Sequence, residues 1–418
     1  MKLPQIISDN PAQIEKLVPG GQGIATMKDG IKGFFWNALP GEIITKYEIT
    51  KQKSHYFEAT ALEIAQPSKH RIQPKDPCYL STSPWQIMDY DYELKQKSLL
   101  LTEIFRQQDV PNLLDISKTQ VSTDAQDFFY RNKMEYSLYY DYSDEKLHLG
   151  FHKRGTHRKI KVDSSSIERP EIFQKATEIV AELNARHADG RAYQSLLLRT
   201  NQNGKVSGGL YENHQPHPAF QNLTDTILGR EYSYSPNGFF QINLPVYEMV
   251  LREIMPYVTT ENVLDLYAGV GTIGLSIAKD KNLTLVEIDK SAFAELERNI
   301  RLLNVSETNT TFKDFSSRQA PMSKIPNAFL AKSEDVTDFI KSDQTVIVDP
   351  PRAGLDIKLT EKLLKTLPAT IIYLSCNPIT QARDIKILTE KYNIIKIQPF
   401  NFFPRTPHLE NLVILKAK

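Results

Sequence analysis

From residue 229 onward, short apolar runs alternate with stretches whose apolar positions recur at helical spacing. Residues 262–267, 283–288, 310–313, 345–349, 370–375, 394–399 and 409–415 read as strands. Helical stretches separate most of them. In 291–303, Ser291 caps the start, and Phe293, Leu296, Ile300 and Leu303 share one side. This alternation predicts a doubly wound α/β sheet with ligands at the carboxyl ends of its strands.

The earlier part of the chain follows a different pattern. Residues 10–69 read as a small all-β unit, with Gly20-Gly21, Asp29-Gly30 and Pro40-Gly41 punctuating segments such as 33–36 and 42–50. That spacing suits a small barrel, an architecture that often binds oligonucleotides but serves many other ends. A linker with Pro67, Pro74, Pro77 and Pro84 follows. Residues 92–107 are helix-like, with Leu94, Leu101, Ile104 and Phe105 near one face. Across 130–152, Tyr136, Leu138 and Tyr140 oppose Leu147, Leu149 and Phe151, as in a hairpin. Residues 170–187 read as an amphipathic helix with Pro170 in its first turn, and 193–200 and 205–211 as strands flanking Asn203-Gly204. Three units are expected: 1–69, a mixed α+β unit over 70–228, and 229–418.

Composition narrows the class without naming a function. The 418 residues are 40% hydrophobic and 24% charged, as in ordinary globular proteins, and the net charge is +1. A polyanion would therefore have to meet a local basic surface. The densest basic run is His152-Lys153-Arg154-Gly155-Thr156-His157-Arg158-Lys159, readable as a solvated loop or as a phosphate contact with tyrosines nearby. No apolar run reaches membrane-spanning length, and the N-terminus lacks the apolar segment of a signal peptide. Two cysteines with no CxxC spacing exclude a disulfide framework and a zinc ribbon. A cytoplasmic protein is expected.

Candidate chemistry lies in the α/β part. Cys376, in Ser375-Cys376-Asn377-Pro378, stands where a buried strand should end and a helix begin. A free thiol has a pKa of about 8.5, and a helix N-terminus beside it would raise its thiolate fraction. Two readings stand for it, an inert buried thiol or a nucleophile. Residues 269–274 match GxGxxG, which suits a nucleotide cofactor or tight packing, and NAD is the first hypothesis. Glu287, ending the next strand, can bond ribose hydroxyls of NAD or of S-adenosylmethionine. Asp349-Pro350-Pro351-Arg352 forces the chain outward at the end of another strand.

Asp349-Pro350-Pro351-Arg352, Ser375-Cys376-Asn377-Pro378 and His408-Leu409-Glu410 together resemble the signature of the RNA uracil-C5 methyltransferase family. Phe239-Phe240-Gln241-Ile242-Asn243, the glycine loop and Tyr130-Arg131-Asn132-Lys133 are similar to further family motifs. Residues 10–69 resemble the family's TRAM domain, a small OB-like RNA-binding barrel. The resemblance implies a Rossmann-like class I methyltransferase domain over 229–418. It implies S-adenosyl-L-methionine bound by Gln241, Tyr267, Glu287 and Asp349, with Thr272 close. Cys376 would be the nucleophile and Glu410 the proton acceptor, acting on a uridine flipped out of an RNA loop. Many ribosomal-RNA members carry four cysteines for a [4Fe-4S] cluster in the linker. Here only Cys78 stands there, so no cluster is expected, and Cys78 should pack as a small apolar residue. The TRAM resemblance favours 23S ribosomal RNA over tRNA, with a monomeric enzyme. A cytosine-C5 enzyme would show a second cysteine in a Pro-Cys motif, where this chain has Asp349-Pro350-Pro351.

Overall fold

A computed structural model describes residues 5–7, 10–111, 113–116, 119–156, 158–187, 193–212, 215–217, 220–302, 312–314 and 326–418. Its largest sheet has eight strands. Their order is Phe312–Asp314, Asn327–Leu330, Asn282–Glu287, Asn262–Leu266, Gln344–Val348, Thr370–Ser375, Glu410–Ala417 and Tyr392–Phe400. The first six run parallel, and Glu410–Ala417 is antiparallel to both of its neighbours.

The expected strand over 310–313 is found as Phe312–Asp314, with 310 and 311 outside the described residues. It is not the neighbour of Asn282–Glu287, because Asn327–Leu330 lies between them. That four-residue strand is too short to show a period, and the apolar pattern does not reveal it.

Local chemistry sets the helix starts. The side chains of Asn243 and Asn377 accept from Val246 N–H at 3.5 Å and Ile379 N–H at 3.3 Å, each followed by a proline inside the first turn. The expected helix 291–303 is Lys290–Leu302, with Leu303 outside the described residues. One apolar layer packs Leu244–Ile254 and Lys290–Leu302 on the sheet. The other carries Ile357–Thr366 and Pro378–Leu388, and also Leu101, Ile104 and Phe105 of Tyr90–Gln107. That last helix falls in the middle unit by sequence order, yet it covers the C-terminal sheet. Its buried residues also include the polar Glu93, Gln96 and Lys97, which the apolar pattern does not mark.

A six-stranded sheet forms the middle, and helix Pro170–Ala185 packs on it. Its hairpin pairs Leu138 with Leu149 and Tyr140 with Leu147, as expected. The two-stranded ribbon Leu223–Ile227 and Arg230–Tyr234 straddles residue 229, but Leu223, Ile227, Tyr232 and Tyr234 all enter the C-terminal core.

The N-terminal seven-stranded sheet coils around Phe35, Tyr47 and Phe57, whose rings lie 5.1–5.8 Å apart. Its pairing path ends at Gln5–Ile7 and Lys16–Leu17, and no pairing joins those ends among the described residues. Part of the basic run lies on this unit, while His152 and Arg158 are exposed. Lys153 pairs with Glu48 at 3.1 Å, and the Arg154 guanidinium stacks 4.3 Å from the Trp36 ring. His157 lies outside the described residues. Among the described residues, no helix is long and apolar enough to cross a membrane.

Candidate active site

Strand order reverses direction around Asn262–Leu266, which has Asn282–Glu287 on one side and Gln344–Val348 on the other. A crevice is expected beyond such a switch point. An open cleft of about 1480 Å³ is found there. It is lined by all seven residues singled out from the sequence: Gln241, Tyr267, Thr272, Glu287, Asp349, Cys376 and Glu410.

Its first wall is the loop after Asn262–Leu266. Tyr267 adopts φ 65°, a left-handed conformation that a side chain rarely takes and that is common at ligand sites. Gly269, at φ 59°, faces open space, and its N–H donates 2.7 Å to Oε2 of Glu287. The other Glu287 oxygen accepts from Ile288 and Asp289 N–H at 2.8 and 2.7 Å. Three backbone donors thus fix this carboxylate, leaving its remaining lone pairs for a ligand. The later glycines serve packing. A Cβ at Gly271 would lie 2.5 Å from Leu296, and one at Gly274 would lie 2.8 Å from Asp265. The Thr272 hydroxyl meets that of buried Tyr247 at 2.7 Å.

The second wall follows Gln344–Val348. After Asp349 the two prolines turn the chain out, and helix Pro378–Leu388 pins it. The Arg352 carbonyl accepts from Asn377 Nδ2 at 2.8 Å and from the Thr380 hydroxyl at 3.1 Å. Asp384 accepts from Leu355 N–H and the Tyr373 hydroxyl, both at 2.8 Å. Burial raises the Asp349 carboxyl to about 7.

Cys376 and Glu410 meet at the head of the cleft because their strands run oppositely. Ser375 pairs with Asn411, so the residue after one strand adjoins the residue that opens the other. Burial, then Asp349, raises the Glu410 carboxyl well above its ordinary range, while Arg352 opposes. Burial raises the Cys376 thiol to about 11, with Glu410 and Asp349 adding to the shift and Arg352 opposing it. The thiol thus lies above its ordinary value, opposite to the enhanced thiolate fraction expected from a neighbouring helix N-terminus.

The remaining wall comes from the middle of the chain. Asn132 donates its side-chain amide to the Gln241 carbonyl at 3.0 Å and its N–H to the Ile242 carbonyl at 3.2 Å. The two motifs 130–133 and 239–243 therefore form one joint. Arg131, Lys133, exposed Phe239 and His408 also line the cleft and were given no role from the sequence. Their membership of the quoted motifs was the available signal. Lys133 donates to the Asn237 and Gly238 carbonyls at 3.1 and 3.3 Å, and burial followed by Arg199 lowers it to about 8.

Cys78 is buried in the middle core with Sγ 3.7 Å from the Ser164 carbonyl, and burial raises its thiol to about 12. It packs as expected of a small apolar residue. Among the described residues, only Asp141, Asp144 and His148 bring three potential metal-ligating side chains together, away from the cleft.

Residues 220–418 match the family model described as tRNA (Uracil-5-)-methyltransferase. A Prochlorococcus marinus protein described as an uncharacterized RNA methyltransferase is 28% identical, covering 90% of this chain and 99% of that protein. One from Enterococcus faecalis with the same description is 27% identical over 96% of each. The fold is similar to that of Pyrococcus abyssi tRNA (uracil-54, C5)-methyltransferase, solved with S-adenosyl-L-homocysteine. There the TM-score is 0.73 at 24% identity, over 97% of this chain and 99% of that one.

Proposed function

We propose, from the match of residues 220–418 to the model described as tRNA (Uracil-5-)-methyltransferase, that this chain belongs to that family and methylates uracil C5 in RNA, with S-adenosyl-L-methionine as methyl donor. The observation that carries this reading is the convergence of Cys376, Glu410 and Asp349 in one cleft with Gln241, Tyr267, Thr272 and Glu287. The fit for the donor rests on the fixed Glu287 carboxylate, a ribose acceptor, and on Gly269, whose open face admits a ligand against the backbone. When bound, the donor supplies an electrophilic methyl carbon.

Uracil C5 is too weak a nucleophile to react unaided. The Cys376 thiolate forms an S–C6 bond, and the C5=C6 electron pair becomes an enolate that can take the methyl group at C5. Glu410 then accepts the C5 proton. The electrons of that C–H bond re-form C5=C6 and expel the thiolate. Asp349 would help hold the donor, and a positive charge near it would offset the field that raises Cys376 and Glu410. The target base must leave its stack to reach the head of the cleft.

The units 1–69 and 70–228 hold the RNA, the first as a TRAM-type barrel, and 229–418 carries the chemistry together with the ribbon before it. The barrel resemblance favours 23S ribosomal RNA. The second reading is tRNA, since the same fold serves a tRNA enzyme over nearly its whole length. The protein acts as a cytoplasmic monomer without an iron–sulfur cluster.

The test is incubation with labelled donor and, separately, ribosomal RNA and tRNA lacking the modification, followed by mapping of the product. Cys376→Ala abolishes turnover, and Glu410→Gln accumulates a covalent RNA adduct. Full activity of Cys376→Ala overturns the mechanism.

A further inference from the structure

Between the paired residues Phe400 and Glu410 lies a loop, 401–409, that closes the hairpin carrying the proposed base. Its conformation is held by the rest of the chain. Buried Lys97 donates to the Asn401 side chain at 2.5 Å and to the Phe403 carbonyl at 3.1 Å. The Arg405 N–H lies 3.0 Å from both oxygens of buried Glu93, and its carbonyl accepts from Trp85 N–H at 3.0 Å. Arg405 itself sits at φ 62°, a strained conformation that such bonds must maintain.

The N-terminal unit supplies the last support. Trp85, 1% exposed, donates its indole N–H to the Gly21 carbonyl at 3.0 Å. Gly21 occupies a tight turn at φ 95°, so close to Pro407 that a Cβ there would lie 2.6 Å from the proline Cβ. Pro407 precedes Glu410 by three residues.

We infer that Gly21 is a positioning residue for Glu410, so that the N-terminal unit forms part of the catalytic scaffold as well as an RNA-binding surface. The inference rests on the role proposed for Glu410. A side chain at position 21 pushes Pro407 away and, through a loop fixed at its other points, shifts the carboxylate from the C5 proton. The step that suffers is proton removal, after RNA capture.

The neighbouring glycine provides a matched control. Gly20 has φ 98°, so substitution strains its backbone equally, but a Cβ there meets nothing within 4 Å. Full-length Gly21→Ala and Gly20→Ala are compared for kcat, KM for RNA, and the fraction of protein trapped as covalent RNA adduct on denaturing gels. Gly21→Ala is expected to lower kcat about ten- to a hundred-fold, with adduct accumulating and KM little changed. Gly20→Ala is expected to behave as the parent. Pro407→Gly, which removes the colliding ring, should restore part of the lost rate in the Gly21→Ala background. It also probes the contact from the other side if Gly21→Ala fails to fold. Equal kcat and adduct levels in the two alanine variants overturn the inference, as does a change confined to KM for RNA. Failure of the Glu410→Gln protein to accumulate adduct overturns the underlying reading instead, whatever Gly21→Ala does.

Discussion

Arg199, wholly buried in the middle sheet, donates to the Phe240 carbonyl at 2.5 Å and lies 5.4 Å from the Phe240 ring. It also reaches the Gly238 and Gln241 carbonyls at 3.2 and 3.3 Å. One cation thus binds the middle sheet to the segment carrying Gln241. Arg199→Met leaves the Phe240 carbonyl without its donor, while Gly238 and Gln241 keep Lys133 and Asn132, and a loss of about 1–3 kcal/mol is expected. Arg199→Lys recovers only part of it, since an ammonium lacks the guanidinium fork. Denaturant unfolding measures the loss, and donor titration should show weaker binding in both variants.

Glu287 offers a second test of the donor site. Glu287→Gln replaces one acceptor oxygen with an N–H₂ facing backbone donors that the carboxylate now satisfies. Donor affinity should fall about ten- to a hundred-fold by calorimetry. RNA binding in the absence of donor should stay near the parent value. An unchanged donor affinity would remove Glu287 from the site.

Cys376 should be a slow nucleophile until the cleft is filled. With the thiol raised to about 11, its thiolate fraction at pH 7.5 is roughly two orders of magnitude below that of a free cysteine. Alkylation by iodoacetamide should keep rising past pH 9. Asp349→Asn removes one of the carboxyl groups that raise the thiol and should accelerate alkylation at neutral pH. A rate that levels off near pH 8.5 would contradict this placement.

Asp265 makes stability depend on pH. Burial raises its carboxyl to about 8, although Gly274 N–H donates to it at 2.9 Å and favours the charged form. The folded pKa lies above the unfolded value, so its contribution is fully present below about pH 4. It is lost as pH rises toward 8. Asp265→Asn should flatten that decline in a pH series of denaturant unfolding curves, with the difference from the parent greatest at the alkaline end.

The basic run separates into two roles. Arg154→Ala removes the guanidinium stacked on Trp36, and should change tryptophan fluorescence while leaving the salt dependence of RNA binding unchanged. Arg158 is exposed, and Arg158→Ala should lower the slope of log affinity against log salt by about 1 if it meets a phosphate.

These cases show what could be read from the chain alone. Cys376, Asp349 and Glu410 were legible because each belongs to a short contiguous motif, and the strands behind them are continuous apolar runs. Asn327–Leu330 was not, having only four residues and no period. Residues 92–107 read as a helix, and the structure has Tyr90–Gln107, but its partner sheet lies far along the chain, and Lys97 on its buried face reads as a solvent position. The protonated character of Cys376 was hidden for a related reason. It comes first from burial, and then from carboxyl groups remote in sequence that only the folded sheet brings near.

The reversed strand Glu410–Ala417 has a consequence for how the protein assembles. Tyr392–Phe400 joins the sheet only through it, so that edge strand cannot take its place in the sheet until Glu410–Ala417 is there to receive it. Until they dock, Thr370–Ser375, buried at all six positions in the finished sheet, presents a bare apolar edge. Such edges recruit other chains. The event that brings the proposed base to the cysteine therefore also covers that edge, and a chain that stalls before it keeps the edge open to pairing with other chains.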